Sequence, residues 1–325
     1  MVLPVIAVIG GLILLTWSAD RFVFGASAFA RSVGVSALLV GLTIVAFGTS
    51  APEIVVSVLA SLQGNPGLAV GNAIGSNIAN VGLVLAVAAL VTPLAIGRGL
   101  VRRELPILMV VSLAVLVLLL DGALGRLEGV ALLGGLFVFV VWMVLSARRA
   151  QALDPAEAPE VVRGMIEEVP ETTRISRALG WLAFGLLLLI ASSQLVVWGA
   201  VEIAERLGVS DLIIGLTVVA IGTSLPELAT SVVAAFRREA GLAIGNVIGS
   251  NLFNLLAVLA IPALIAPLTI EPEVLLRDYP VMLGMTAALF VFALARGNQL
   301  RRWQGVLLLV VFAGYLVHLG ITATA

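Results

Sequence analysis

The sequence predicts an all-α polytopic membrane protein with ten transmembrane helices, arranged as two inverted-topology repeats of five. Three observations predict this class. The chain of 325 residues is 61% hydrophobic and only 11% charged, and a water-soluble protein cannot hide that much apolar surface. Apolar segments long enough to span a bilayer core as helices recur along the chain. A long stretch of the first half is repeated in the second half.

Apolar windows place the ten spans in order along the chain. The first apolar segment has no basic region before it and no small-residue cleavage site, so we expect a retained helix rather than a signal peptide. The fourth, fifth and ninth spans are short but just long enough to cross a bilayer core as helices. The expected spans are 3–30, 36–62, 68–94, 105–120, 130–146, 178–203, 212–236, 242–268, 279–295 and 303–320.

The arginines predict the orientation of these spans. All 18 basic residues are arginine. With the N-terminus outside, 15 of them fall in inside loops or at the helix ends beside them, and only Arg126, Arg206 and Arg277 fall outside. Because cytoplasmic loops retain basic residues, we expect both termini to lie outside.

The one long connection lies between the fifth and sixth spans. Residues 148–177 have mixed charge and contain three prolines, and about 30 residues are too few for an independent domain. We therefore expect a first five-helix repeat at 1–147, a cytoplasmic linker at 148–177 and a second five-helix repeat at 178–325.

The internal repeat preserves polar residues. Residues 41–94 align with 215–268 without a gap at an offset of 174, and 30 of the 54 positions are identical. The shared segments include GLT, GTSxPE and GNxIGSN. An odd number of spans per repeat inserts the halves in opposite senses, a plan typical of secondary transporters with a site near the midplane. Packing alone would preserve small and apolar positions, whereas acids, hydroxyls and amides are preserved here too.

Each repeat carries a proline in the middle of an apolar run. Pro52 has no amide hydrogen and its ring clashes with the carbonyl of Gly48, and Pro226 stands in the same relation to Gly222. We expect each helix to break or kink there. Freed carbonyls within a membrane must face protein or a water-lined cavity, and a cation can satisfy them. The candidate carbonyl ligands lie just before each break, at Ala46 and Ala220.

A glutamate follows each proline directly. Glu53 and Glu227 would each cost about 2.5–3.5 kcal/mol at mid-membrane. All the arginines fall in loops or at helix ends, so these carboxylates must be protonated or neutralised by a bound cation. A buried glutamate kept for stability alone would explain one such residue better than a symmetric pair beside broken helices.

In both repeats, a residue with a hydroxyl group lies four positions before a residue with a carboxylate or an amide oxygen. The pairs are Thr49 and Glu53, Thr223 and Glu227, Ser76 and Asn80, and Ser250 and Asn254. An all-oxygen site of this kind suits Ca²⁺ and not the metals that prefer Cys or His. Two ionised glutamates give a charge of −2, which one Ca²⁺ or two Na⁺ would neutralise. Either cargo therefore fits, but not both at once.

These paired motifs resemble those of the Na⁺/Ca²⁺ exchangers in the cation/Ca²⁺ exchanger superfamily, and the chain is most similar to the compact prokaryotic calcium/sodium antiporters. The resemblance implies ten helices in the inner (plasma) membrane and a midplane site among the second, third, seventh and eighth. It also implies alternating access, with the first and sixth helices sliding across that core.

The resemblance also implies roles for individual residues. Glu53 and Glu227 would be the shared carboxylates of the Ca²⁺ site, Asn80 would supply a side-chain oxygen, and Ala46 and Ala220 would supply carbonyls. Some family members carry Asp where this chain has Asn254, and others have Asn in both halves. The hydroxyls of flanking Na⁺ sites would come from Thr49, Ser50, Thr223, Ser224, Ser76 and Ser250.

Other functions remain open from the residues. Protons should compete for two neighbouring carboxylates removed from water, so H⁺ or K⁺ could take part in coupling. The proton-coupled branch tends to carry a GN-x-x-E motif instead of GTS-x-PE, which favours Na⁺. A cation channel also uses carbonyls and acids, but one chain here supplies both halves. A hydrolase with Ser50 or Ser224 as nucleophile would have only His318 as a base, in another helix.

We therefore expect a transporter and not an enzyme. Its ligands would be transported Ca²⁺ and Na⁺, with no cofactor and no nucleic acid partner. We expect it to work as a monomer in a lipid bilayer. Asp20 lies in the first span and corresponds to Gln194 in the second half, and it is a polar helix end or, alternatively, a gating residue.

Overall fold

A computed structural model describes residues 2–97, 99–151, 175–207, 220–294 and 299–324. The described part is mostly helical. Most of the expected linker, 152–174, and the start of the seventh expected span lie outside the described residues. The helices are α1 Val2–Ser32, α2 Ala37–Thr49, α3 Ala51–Leu62, α4 Pro66–Val91, α5 Leu105–Leu119, α6 Arg126–Gln151, α7 Ile175–Arg206, α8 Ala220–Thr223, α9 Leu225–Phe236, α10 Ala240–Ile265, α11 Val274–Leu294 and α12 Arg302–Thr324.

Seven of the described helices are long and apolar enough to cross a membrane, and the bent pair α2 and α3 would make eight. The axes of that pair differ by 40°. The shorter helices α5 and α9 fall within two of the other expected spans. The chain is thus a multi-pass helical membrane protein.

Helices α4 and α10 form the centre of the molecule. About 72% and 78% of their most apolar windows are buried, against 22–33% for the other long helices. Exposed leucine, valine and phenylalanine side chains cover those outer helices, as expected for surfaces that face lipid. Polar side chains on α4 and α10 are therefore kept from both lipid and bulk water.

Close backbone contact joins α1 to α7. A side chain at Gly11 would lie 3.3 Å from the carbonyl of Ser192, and one at Gly25 would lie 2.5 Å from the amide of Leu182. Early residues of α1 thus meet late residues of α7, so the two helices are antiparallel. Glycine at these contacts allows the backbones to approach more closely than any larger residue would.

Two short antiparallel strand pairs join the halves at their loops. Strand β1 (Leu94–Ala95) pairs with β4 (Gln299–Leu300), and β2 (Ala123–Leu124) pairs with β3 (Leu268–Thr269). Each pair takes one strand from each half of the sequence. The loops that follow α4 and α10 are therefore each held by the opposite half.

Among the described residues, five short stretches of π-helix lie within the helices or directly before them. Two begin at corresponding residues of the repeat, at Asn80–Leu85 in α4 and at Asn254–Val258 in α10. A π-turn rotates the residues beyond it relative to an α-helix and is frequent at functional sites. The sequence analysis did not predict these π-turns.

Candidate cation site

The two prolines break their helices in the same way. Ser50 separates α2 from α3 with φ −81° and ψ 8°, and Ser224 separates α8 from α9 with φ −86° and ψ 6°. Each helix resumes at once, because the serine carbonyl accepts the amide of Ile54 or Leu228. The expected breaks are therefore present, and each one turns a serine and a threonine into the protein interior.

The carbonyls beside the two breaks have different partners. The carbonyl of Gly222, which lost its donor to Pro226, accepts the hydroxyl of Ser193 in α7 at 3.1 Å. The carbonyl of Ala46 accepts the amide of Ser50 at 3.0 Å. The corresponding amide of Ser224 donates to Ile221 instead, at 3.1 Å. The carbonyl of the candidate ligand Ala46 also accepts the hydroxyl of Thr49 at 3.4 Å, so it has two donors within its own helix. Ala220 is the first residue of α8.

Glu227 is fully buried and partly hydrogen-bonded. Its Oε1 accepts the hydroxyl of Ser50 at 3.1 Å and that of Ser250 at 3.4 Å. Its Oε2 is buried and has no hydrogen-bond partner among the described residues. A carboxylate from the second repeat is therefore held by a hydroxyl from each half.

Glu53 is 1% exposed and makes no hydrogen bond from either carboxylate oxygen within the part of the chain that the structure describes. Ser76 and Thr223 interact with its carboxylate, and Glu227 is close enough to interact with it electrostatically. The two glutamates, which are far apart in sequence, are thus neighbours in the interior and do not face lipid.

The remaining hydroxyls complete a contact between the halves. Thr49 donates to Oδ1 of Asn246 at 3.0 Å and lies 3.5 Å from the hydroxyl of Ser250. The hydroxyl of Ser224 is buried and has no partner in the described chain. Five of the six expected hydroxyls therefore lie against the glutamates: those of Thr49, Ser50 and Ser250 against Glu227, and those of Ser76 and Thr223 against Glu53.

Asn80 and Asn254 lie at the starts of the two π-turns, and both are buried. Their amide nitrogens donate to other asparagines, Asn80 to Oδ1 of Asn251 at 3.0 Å and Asn254 to Oδ1 of Asn77 at 3.1 Å. Their own Oδ1 atoms are buried without a partner among the described residues. Asn77 and Asn251 were not among the expected site residues, although the repeat preserves them.

A second pair of asparagines holds the backbone of the glutamates. Asn72 donates to the carbonyl of Glu53 at 3.3 Å, and Asn246 donates to that of Glu227 at 3.4 Å. The pairs have the same sequence separation of 19 residues. These asparagines were also missed, and their place in the repeated GN motif was the signal that could have found them.

The arrangement leaves six buried oxygen atoms without hydrogen-bond donors in the described structure. Unsatisfied buried polar atoms are costly and need an explanation. The four ion pairs among the described residues all lie elsewhere, so no arginine pairs with these carboxylates. An oxygen-rich pocket with two acids can hold a hard cation. The six atoms are Oε1 and Oε2 of Glu53, Oε2 of Glu227, Oδ1 of Asn80, Oδ1 of Asn254 and Oγ of Ser224.

Comparison with known proteins gives the same family for both halves of the chain. A family model described as sodium/calcium exchanger protein matches residues 3–145 and 177–320. The inner membrane protein YrbG of Escherichia coli is 40% identical over 98% of this chain and 97% of its own length. The sodium/calcium exchanger MaX1 of Methanosarcina acetivorans is 33% identical over 95% of this chain and 96% of its own.

Solved structures agree. A structure of the sodium-calcium exchanger NCX_Mj, from a crystal soaked with Na⁺ and Sr²⁺, superposes with a TM-score of 0.83 at 34% identity. The match covers 97% of this chain and 98% of that one. The match therefore extends over both halves of the chain.

Proposed function

The chain belongs to the sodium/calcium exchanger protein family, and from that premise we propose that it exchanges Na⁺ for Ca²⁺ across a membrane by alternating access. Members of this family are membrane exchangers, so the protein is a transporter rather than an enzyme. Its ligands in this proposal are the transported ions themselves, bound one cargo at a time at a site between its two halves.

One observation carries the proposal. Glu53 and Glu227 lie together in the interior with three unpartnered carboxylate oxygens and no arginine paired with them among the described residues. Two ionised carboxylates carry −2, so one Ca²⁺ or two Na⁺ would neutralise the pocket. Because the same oxygens would serve both cargoes, binding of one excludes the other, and that exclusion is what exchange requires.

We assign the ligands in two groups. The carboxylates of Glu53 and Glu227 and the amide oxygens of Asn80 and Asn254 would hold Ca²⁺, because each of these residues has a buried oxygen without a hydrogen-bond partner among the described residues. The flanking Na⁺ positions would be completed by the residues of the breaks and of the two central helices. Those residues are Thr49, Ser50, Thr223, Ser224, Ser76, Ser250 and the carbonyls of Ala46 and Ala220.

The proposed architecture has ten spans in two inverted repeats, at 1–147 and 178–325, joined by a linker at 148–177. The antiparallel contact of α1 with α7 supports inversion, since these helices occupy corresponding places in the two halves. We further propose that α1 and α7 slide together across the central helices. Their glycine-lined contact would keep this pair rigid as it moves. Both termini would lie outside the plasma membrane of a prokaryotic cell, and one chain would suffice for transport.

Exchange of Ca²⁺ for H⁺ is the second candidate. Two adjacent buried carboxylates without a basic partner are also suited to accept protons, and that observation favours this alternative over a channel. The family match alone does not distinguish the coupling ions. The proposal of Na⁺ coupling draws support from MaX1, which is named a sodium/calcium exchanger.

The experiment is ⁴⁵Ca²⁺ uptake into proteoliposomes with outward gradients of Na⁺, K⁺ or H⁺ compared side by side. Uptake driven by Na⁺ alone supports the proposal, and uptake driven by a pH gradient in Na⁺-free buffer favours the second candidate. Uptake that needs no counter-ion would indicate a channel. Glu53→Gln and Glu227→Gln should abolish uptake, while Glu202→Gln, the same change in an exposed pair with Arg206, should leave it intact.

A further inference from the structure

We propose that Asn77 and Asn251 are positioning residues, which determine that Asn80 and Asn254 present oxygen, and not the amide NH₂ group, to the transported cation. This inference rests on the proposed function, since it concerns the same site. The hydrogen bonds that carry it run between α4 and α10, the two most buried long helices.

The orientation of the Asn77 amide is fixed by a backbone carbonyl. Its Nδ2 lies 3.3 Å from the carbonyl oxygen of Asn251 and 3.5 Å from Sδ of Met282. Both of those atoms can only accept hydrogen bonds. The NH₂ end of Asn77 must therefore point at them, which leaves its Oδ1 as an acceptor on the other side.

That acceptor in turn orients Asn254. Nδ2 of Asn254 lies 3.1 Å from Oδ1 of Asn77, so the NH₂ end of Asn254 is turned toward Asn77. Its Oδ1 is turned away, buried and without a partner in the described structure. A backbone carbonyl thus selects, through two amides in series, which atom Asn254 leaves for a ligand.

The corresponding pair of the repeat, Asn251 and Asn80, shows the same asparagine-to-asparagine hydrogen bond. Nδ2 of Asn80 donates to Oδ1 of Asn251 at 3.0 Å, and Oδ1 of Asn80 is buried without a partner among the described residues. Each ligand amide is therefore oriented by an asparagine of the opposite half. A cation is attracted by an amide oxygen and repelled by an NH₂ group, so this orientation matters for binding and not only for packing.

A purely structural role predicts a different outcome, and a double substitution separates the two. An aspartate at position 254 has two oxygens and no NH₂ end, so it needs no orienting partner. We expect Asn77→Ala to raise the KM for Ca²⁺ about tenfold, the effect of one lost hydrogen bond, with little change in maximal rate. In an Asn254→Asp background the same change should leave KM unchanged or lower it, because Oδ1 of Asn77 would face a carboxylate oxygen there.

The measurement is ⁴⁵Ca²⁺ uptake under the Na⁺ gradient for the wild type, Asn77→Ala, Asn254→Asp and the double variant, with a melting curve for each. Asn65→Ala is the control, because Asn65 caps the start of α4 at an exposed position and should lower stability without changing KM. If Asn77→Ala does not fold, Asn251→Ala with Asn80→Asp repeats the test on the mirrored pair.

The outcomes separate the two proposals. Equal KM ratios in the two backgrounds would overturn the positioning role, since a packing defect does not depend on the atom type at position 254. A wild-type protein that exchanges Ca²⁺ while the ratios are equal leaves the proposed function standing. A wild-type protein with no cation-driven uptake overturns the function itself, and the positioning role with it.

Discussion

The two glutamates of the repeat have the same neighbours in sequence and different neighbours in space. Glu227 accepts hydrogen bonds from Ser50 and Ser250, whereas both carboxylate oxygens of Glu53 lack a hydrogen-bond partner among the described residues, although Ser224 and Ser76 occupy the corresponding positions of the repeat. One carboxylate is held by the protein and the other is left for a ligand. A duplicated sequence therefore does not produce duplicated environments.

Helices α1 and α7, which lie outside the aligned segments, also contribute differently to the two proline breaks. The carbonyl freed by Pro226 receives a hydroxyl from Ser193 of α7, while the corresponding residue of α1 is Ala19, which has no side-chain donor. Around the second break, both the carboxylate of Glu227 and the carbonyl of Gly222 therefore accept side-chain hydroxyls. We expect a cation to contribute more to the stability of the Glu53 side, because more of its oxygens lack partners.

The largest expected effects follow from replacing each glutamate. Glu53→Gln and Glu227→Gln should each reduce Ca²⁺ exchange at least about a hundredfold, through loss of a charged ligand. In cation-free detergent at pH 8, Glu53→Gln should raise the free energy of unfolding by about 2 kcal/mol, because it removes a buried carboxyl group that must otherwise take up a proton from a basic solution or remain charged without partners. Glu227→Gln should leave it unchanged or lower it, since it weakens two bonds from hydroxyls.

Melting curves with and without Ca²⁺ measure both effects. Wild-type protein should be stabilised by Ca²⁺, and neither variant should be. Equal shifts of the cation-free melting temperature in the two variants would contradict the proposed difference between the two sides of the site.

The next effect compares the serines of the two breaks. Ser50→Ala removes a hydrogen bond to the carboxylate of Glu227 and should cost the cation-free protein about 1.5–3 kcal/mol, the range for bonds to charged groups. Ser224→Ala removes a hydroxyl that has no partner in the described structure, so its cost should be close to zero. The measurement is the melting temperature without cations. Equal destabilisation by both changes would contradict the proposed difference between the two serines.

A smaller effect tests the carbonyls behind the breaks. Ser193→Ala leaves the carbonyl of Gly222 without its donor and should cost about 1 kcal/mol in the melting experiment. The mirrored change Ala19→Ser adds a hydroxyl at the corresponding, fully buried position of α1, where it should be neutral, or stabilising if the hydroxyl reaches a freed carbonyl of the first break. An unchanged melting temperature in Ser193→Ala would contradict the difference between the two breaks.

The sequence was sufficient for those features that depend on single residues. A proline inside an apolar run has one local consequence, so both breaks were predictable from Pro52 and Pro226. The absence of nearby basic residues in sequence indicated that Glu53 and Glu227 would need a cation or a proton. Their mutual proximity followed from the repeat, because duplicated halves that pack together bring matching residues toward one axis.

The rest depends on which residues contact one another across the interior, and a repeat in the sequence does not specify those contacts. The bond of Ser193 to Gly222 involves a helix outside the aligned segments, so no motif indicated it. The amide orientations of Asn80 and Asn254 depend on the other two asparagines across the interface, and sequence does not specify which end of an amide faces a partner. The π-turns that start at Asn80 and Asn254 likewise have no composition that distinguishes them from α-helix.

The smallest expected effect concerns the attachment of α1 to the second half. Asp20 pairs with Arg237 just after α9, and Arg31 pairs with Glu239. The matching residues of the first half, Gln63 and Asn65, are uncharged. Asp20 is therefore a partner in an exposed ion pair, on a helix that would slide in the proposed transport cycle.

A double-mutant cycle with Asp20→Asn and Arg237→Gln measures this attachment. An exposed pair contributes only about 0.2–1 kcal/mol, so the coupling energy from melting curves should fall in that range and shrink at high salt, because salt screens exposed charges. If the pair also holds α1 in one position, Asp20→Asn should change the maximal exchange rate while leaving the KM for Ca²⁺ unchanged. An unchanged rate would restrict Asp20 to its role as a polar helix residue, and a changed KM would link it to the cation site instead.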